Sequence, residues 1–244
     1  MLDNNPLSGA GYLLQGLKLL LKPGLRRFVM MPLFINILTF TVLAWIGIAK
    51  FENLLDWMLP QDSWLNYFRY ILWPIFAIAA VLVTFYSFTI VANLLAAPFN
   101  GLLAEKVEHL LTGNPPSQPT QGITQSIWPA LRSELIKLRY FLLRALPLLV
   151  LFLIPGLNLI APILWTLFGI WYLALEYADY PMANNGLEFK DQHNNLKQIC
   201  LTALGFGVGL TLLMMIPILN FAAMPAAVSG ATAMWCDRKQ SVNL

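Results

Sequence analysis

Ile154-Pro155-Gly156-Leu157-Asn158-Leu159-Ile160-Ala161-Pro162 and Ile216-Pro217-Ile218-Leu219-Asn220-Phe221-Ala222-Ala223-Met224-Pro225 carry one pattern twice. It is Ile-Pro-x-Leu-Asn followed by a second proline, with an offset of 62 residues between copies. Each copy sits near the middle of an uncharged run, of 31 residues between Arg144 and Glu176 and of 39 between Lys197 and Asp237. Crossing a hydrocarbon core of about 30 Å takes about 20 apolar residues, so these runs are long for one span and short for two. Proline cannot donate its backbone hydrogen bond, and asparagine brings polar groups that hydrocarbon leaves unsatisfied. Each tip must therefore lie in protein or water. The pattern predicts two re-entrant, hemi-penetrating helical hairpins, in regions 128–180 and 190–236, turning at Pro155, Gly156 and Asn158 and at Pro217 and Asn220. The competing arrangement gives each run two cramped full spans with the same sidedness.

Outward from these runs the chain is equally apolar. Of its 244 residues 58% are hydrophobic and 11% charged, with mean hydropathy +0.65. A water-soluble domain carries about 25% charged residues, which argues against a soluble enzyme or a soluble binding module. The 22 uncharged residues of 28–49 form a first full transmembrane span. Region 70–112 forms the second, delimited by Pro74 and Pro98, with Asn100 to Leu111 continuing as a cytoplasmic helix until Gly113. Between these spans, Lys50 to Arg69 has two basic and three acidic residues, while the other thirteen basic residues precede Phe28 or follow Ala104. The positive-inside rule places Lys50 to Arg69 outside and both termini in the cytoplasm. Region 8–22, with Leu13, Leu14, Leu17, Leu20 and Leu21 opposite Gln15, Lys18 and Lys22, reads as an interfacial amphipathic helix. A second runs from about Trp128 to Arg144 and offers Arg132, Lys137, Arg139 and Arg144 to lipid phosphates. No soluble domain boundary interrupts 1–244; the fold class is an all-α integral membrane protein in a single membrane domain.

The chemistry in the sequence is mostly negative. There is no GxxxxGK[ST] loop, HExxH, GxSxG or paired-cysteine zinc pattern, so neither nucleotide hydrolysis by that route, metal nor cofactor is predicted, and the chain is not read as an enzyme. Cys200 and Cys236 read as small apolar residues, His109 and His193 as surface or interface histidines, and Gly205-Phe206-Gly207-Val208-Gly209 as a small-residue packing face. Glu176 and Asp179, three apart on one helix, read as ion-pair partners for nearby arginines or as a proton relay.

One constellation points to anions. Lys22-Pro23-Gly24-Leu25-Arg26-Arg27 breaks the first helix and opens the first span, which predicts free amides near Gly24 and Leu25 beside two guanidinium groups. Helix N-termini favour anions through unpaired amides, and arginine adds a planar fork that fits tetrahedral oxyanions. Arg26 and Arg27 also read simply as membrane-surface anchors on lipid phosphate.

The run Asn93-Leu94-Leu95-Ala96-Ala97-Pro98-Phe99-Asn100-Gly101-Leu102-Leu103-Ala104-Glu105-Lys106-Val107-Glu108 resembles the CysZ family of bacterial sulfate permeases, as do the Pro-Gly-Leu-Arg-Arg entry and the segment Leu175-Glu176-Tyr177-Ala178-Asp179-Tyr180-Pro181. The resemblance implies an inner-membrane protein that admits sulfate for cysteine biosynthesis, channel- or permease-like and without its own ATPase. It also implies two full spans, hemi-penetrating hairpins, a homo-oligomer, and sulfate bound at Gly24, Leu25, Arg26 and Arg27. The partners so implied are sulfate and membrane lipids, with no nucleic acid. A different class of reading is a non-transporting scaffold or bilayer-shaping protein whose basic motif binds anionic lipid.

Overall fold

The computed structural model describes residues 4–28, 30, 34, 38, 41, 42, 45–47, 50, 51, 53, 57, 68–117 and 123–242, with backbone alone at 69, 80–98, 123–134, 218, 221 and 242. Every regular element among them is helical: α1 (Pro6–Leu20), α2 (Arg69–Thr112), α3 (Ile123–Leu153), α4 (Ala161–Asn184), α5 (Phe189–Gln198), α6 (Cys200–Met214) and α7 (Pro217–Val242). The chain divides into two compact units, 30–96 and the remainder. Most of the first span, 28–49, and most of the segment predicted to face outside lie beyond the described residues. Within the smaller unit, Phe51 is buried against Trp73, with ring centroids 6.1 Å apart.

α7 is the axis of the larger unit. Its middle turns, Ala226, Ala227, Val228, Ser229, Ala231 and Ala233, are sealed from solvent on all sides, which only small side chains permit where helices press in from several directions. α1 lies along α6 and α7, and α4 packs on both of these from another side. The closeness of α1 depends on glycine. A Cβ on Gly16 would fall within the backbone of Ala226 and Gly230, one on Gly9 within that of Thr202 and Phe206, and one on Gly205 within that of Pro6. Gly207, on the opposite face of α6, meets the backbone of Ile170 on α4 in the same way. The Gly205–Gly209 stretch is thus the seam that seats α6 between α1 and α4.

The start of α1 is tied to the start of α6. Asn5 caps α1, accepting from the Leu7 amide at 2.9 Å, with Pro6 in the first turn. Asn4 caps α6 from outside, its Oδ1 accepting from the amides of Leu201 at 2.8 Å and Thr202 at 3.2 Å. The buried face of α1 is Gly9, Tyr12, Leu13, Gly16, Leu19 and Leu20, so protein rather than lipid takes Leu13 and Leu20, while Leu7, Leu14 and Leu21 remain exposed.

Several boundaries differ from the sequence reading. α2 is continuous over 44 residues and runs through Pro98, and Gly113, at φ +76°, follows its last residue. The basic helix expected from Trp128 to Arg144 begins at Ile123 and continues through Pro147 to Leu153, because the apolar side chains beyond Arg144 keep helical order up to the first tip. Helix breaks coincide with the two Ile-Pro-x-Leu-Asn copies. Residues 154–160, including a 3-10 turn Leu157–Leu159 and Gly156 at φ +87°, join α3 to α4. Met215 and Ile216 join α6 to α7, which starts at Pro217. Residues 189–198, read as the entry to the second hairpin, form the separate polar helix α5, bent 99° from α6 at Ile199.

Candidate functional site: the basic turn after the first helix

α1 stops at Leu20, and the chain turns through 21–26 before helical geometry resumes at Arg27. Leu25, 3% exposed, anchors the turn in the core that also holds Leu19 and Leu20. Gly24 adopts φ +92°, the left-handed region that penalises a Cβ. A Cβ there would meet nothing within 4 Å, so conformation rather than crowding demands glycine, and the space beside it is open. Arg26 closes the turn by donating from Nε to the Leu21 carbonyl at 2.9 Å, a cation on the carbonyl end of α1.

The donor set is shifted from the predicted one. The Leu25 amide is engaged with the Lys22 carbonyl at 3.2 Å, and the Phe28 amide with the Leu25 carbonyl at 3.0 Å. Among the described residues no backbone acceptor pairs with the amides of Gly24, Arg26 and Arg27, as the opening of a helix requires. The Arg26 and Arg27 side chains are exposed, with the Arg27 guanidinium 5.3 Å from the Phe28 ring centroid. Lys18 and Lys22 are exposed on the same stretch, and among the described residues no carboxylate pairs with any of these four cations. An exposed turn with donors, positive charge and, among the described residues, no anionic acceptor suits a ligand that only accepts hydrogen bonds.

A second polar cluster lies where α3 meets α4. Lys137, 1% exposed, reaches Asp179 Oδ2 at 2.9 Å and Glu176 Oε1 at 3.3 Å. Among the described residues, Lys137 is thus a shared ion-pair partner of the two acids. Lys137 is also not available to lipid phosphate as the sequence suggested, because it is buried, held by the two acids and 5.9 Å from the centroid of the Tyr180 ring. Arg139 is exposed, and Arg144 stacks 3.7 Å from the centroid of the Tyr140 ring. A third cluster escaped the sequence altogether. Glu108, 2% exposed, accepts from Lys239 Nζ at 3.4 Å and Asn185 Nδ2 at 2.8 Å, while Asn185 Oδ1 accepts from Lys239 at 2.8 Å. Its only sequence signal was the placement of Glu108 on the apolar Leu103–Ala104–Val107 face of a helix.

Pro155, Gly156 and Asn158, and Pro217 and Asn220, are exposed, in company with Leu153, Leu159, Met215 and Ile216. Neither asparagine side chain has a hydrogen-bond partner among the described residues; only their amides are bonded, to Ile154 at 3.1 Å and Ile216 at 2.9 Å. His109 is exposed, whereas His193 packs against the rings of Tyr140, Trp171 and Phe189. No group of three metal-ligating side chains converges among the described residues.

An all-helical chain whose α4 is long and apolar enough to cross a bilayer, with exposed leucine-rich tips beyond a basic surface turn, has the make-up of a helical membrane protein. The chain belongs to the sulfate transporter CysZ/etoposide-induced protein 2.4 family, whose model matches residues 12–225. It is 43% identical over 232 residues to the protein named sulfate transporter CysZ in Pseudomonas paraeruginosa, covering 94% of each chain, and equally so to that of Pseudomonas aeruginosa. To the namesake in Pseudomonas fluorescens it is 42% identical over 241 residues, covering 98% of this chain and 96% of the relative.

Proposed function

We propose that this protein carries sulfate across the bacterial inner membrane, feeding cysteine biosynthesis, as a channel or permease with no ATPase of its own. The observation that carries the reading is the turn 24–27: open space beside a left-handed glycine, unpaired amides and two exposed guanidinium groups. Sulfate at neutral pH is fully ionised and only accepts hydrogen bonds, so amides and guanidinium forks suffice for it. Hydrogen phosphate keeps a proton that finds no acceptor there. Gly24 shapes the turn, Leu25 fixes it to the core, and Arg26 and Arg27 supply the charge.

Both hairpins penetrate the bilayer partway from the cytoplasmic side, where both termini lie. Supporting this, α3 has nine residues between Arg144 and its end and α6 has 15 in all, about 14 and 22 Å of helix, too little to cross. The bare asparagines at the tips support a homo-oligomer, in which neighbouring copies or a water-filled path between them satisfy Asn158 and Asn220. Glu176 and Asp179, held by Lys137, serve as ion-pair partners that lock α4 to α3.

Labelled sulfate flux into liposomes containing only this protein tests the proposal. Flux down the gradient without ATP, reduced in Arg26→Ala/Arg27→Ala, is expected. If the liposomes take up no sulfate while the folded protein binds anionic lipid through the same arginines, the protein is a scaffold and the proposal fails. A requirement for an imposed proton gradient would move Glu176 and Asp179 from structure to proton relay.

A further inference from the structure

Among the buried charges of the larger unit, Lys137 and Asp179 share one ion pair, and Glu108 faces Lys239. Arg238 departs from this pattern. It lies near the end of α7, is 5% exposed, and has no carboxylate partner among the described residues. Its acceptors are the neutral amides of α5: Nε and Nη2 donate to Asn195 Oδ1 at 3.4 Å each, and Nη2 to Gln198 Oε1 at 2.5 Å. The adjacent Asp237 is turned away and accepts from the Tyr12 hydroxyl at 2.9 Å. Both N–H groups of Nη1 lack an acceptor among the described residues. One turn deeper along α7, the buried Trp235 Nε1 also has none.

A buried cation is tolerated when an opposite charge or full hydrogen bonding compensates it. Asn195 and Gln198 supply neither a charge nor enough acceptors for five guanidinium donors. The carbonyl end of α5 adds about half a negative charge, but the guanidinium bonds the side-chain amides there and no backbone carbonyl. What is lacking is negative and accepts hydrogen bonds. We propose that Arg238, presented by Asn195 and Gln198, is the centre of a second oxyanion site, separate from the turn at 24–27, which takes a tetrahedral oxyanion on the free Nη1 edge. A free sulfate or phosphate and the phosphodiester of a lipid headgroup share this chemistry. The amides of Asn195 and Gln198 hold the fork at fixed orientation, and exposed Lys197 beside them raises the local positive potential.

The test uses the full chain, purified in detergent and freed of lipid, in an Arg26→Ala/Arg27→Ala background so that the first site is silent. Thermal unfolding is followed in sodium sulfate, sodium phosphate and sodium chloride at matched ionic strength, and retention of added phosphatidylglycerol is followed by native mass spectrometry. Sulfate or phosphate should raise the midpoint above that in chloride, or phosphatidylglycerol should remain bound, and Arg238→Gln in the same background should abolish the effect. The first outcome identifies a free ion as the occupant, the second a lipid. Arg238→Lys keeps the charge but loses the fork, and should weaken binding about tenfold even if the glutamine variant does not fold. Identical anion and lipid responses in the background protein and its folded Arg238→Gln derivative, or unaltered affinity in Arg238→Lys, would overturn the proposal. Loss of sulfate flux in Arg26→Ala/Arg27→Ala with this response intact separates the two sites.

Discussion

Arg26 and Arg27 are adjacent and equally charged, yet their attachments differ. Arg26 has committed one donor to the Leu21 carbonyl, while Arg27 only leans on Phe28. A hydrogen bond to a charged group is worth about 1.5 to 3 kcal/mol, so Arg26→Ala or Arg27→Ala should weaken sulfate binding by about ten- to a hundredfold in calorimetry. Arg→Lys at either position should leave membrane insertion intact and still impair binding, because the planar fork is gone. Unaltered affinity in the folded double alanine protein would remove the site from this turn. Lys137 is the second residue with a sharp consequence. Lys137→Met strands Asp179 in an apolar surround and should cost about 3 to 5 kcal/mol in unfolding experiments, whereas adding Asp179→Leu should recover much of the loss. A single variant as stable as the parent would show that the pair is solvated. His193 gives the pH dependence. Burial, then the charges of Lys197 and Arg144, hold its pKa below the usual 6.5, so the unfolded chain binds the proton more readily. Its contribution to stability is complete above about pH 6.5 and declines as pH falls through and below that value. His193→Gln should flatten the midpoint-against-pH curve there, and an identical slope in the variant would discount this histidine. The basic turn was legible in the sequence because its proline, glycine and arginines are contiguous. The Lys137 pair was not, since its members are about forty residues apart and Lys137 looked like any other cation on a basic helix.

Elements were legible where proline or glycine punctuates a break, and illegible at Pro147, past which the basic helix runs on to Leu153. Pro155, Gly156 and Pro217 mark real turns, but Pro98 and Pro147 lie within helices that continue past them. A proline removes one donor and clashes with one carbonyl, a local cost that the rest of a long helix can outweigh. Helix α1 was recognised, but its orientation was not, because leucines occupy more than half its circumference and only the glycines reveal which side meets protein. That side makes a prediction. Gly16→Ala pushes a methyl into the α7 backbone and should destabilise by about 1 to 3 kcal/mol, whereas Gly11→Ala, which meets nothing within 4 Å, should stabilise by up to about 1 kcal/mol. Similar unfolding midpoints for the two variants would contradict this packing.

At the scale of the whole molecule, the sidedness of the hairpins governs everything proposed for transport. Cysteines placed at Asn158 and Asn220 in a cysteine-free background should resist a bulky impermeant thiol reagent applied from outside, whereas one at Gln61 should react readily. Equal labelling at Asn158 and Gln61 would mean that the first hairpin crosses completely. That the chain is a helical membrane protein was readable because charge is so costly in lipid that long uncharged runs point to a bilayer. How α1, α6 and α7 nest was not readable, since contacts between backbones at glycines leave no hydrophobic pattern to follow.

That nesting also orders events during synthesis. The basic turn is anchored on a helix made early, yet the groove that receives this helix is made nearly 200 residues later. At about 5 to 20 residues per second, a nascent chain spends about ten to forty seconds with its first helix unhoused. During that interval Asn4 has no helix to cap, and the leucines of α1 have only the membrane surface to rest on. Ribosome-bound chains halted before Pro217 should therefore be cut by protease within α1, while released full-length chains should not.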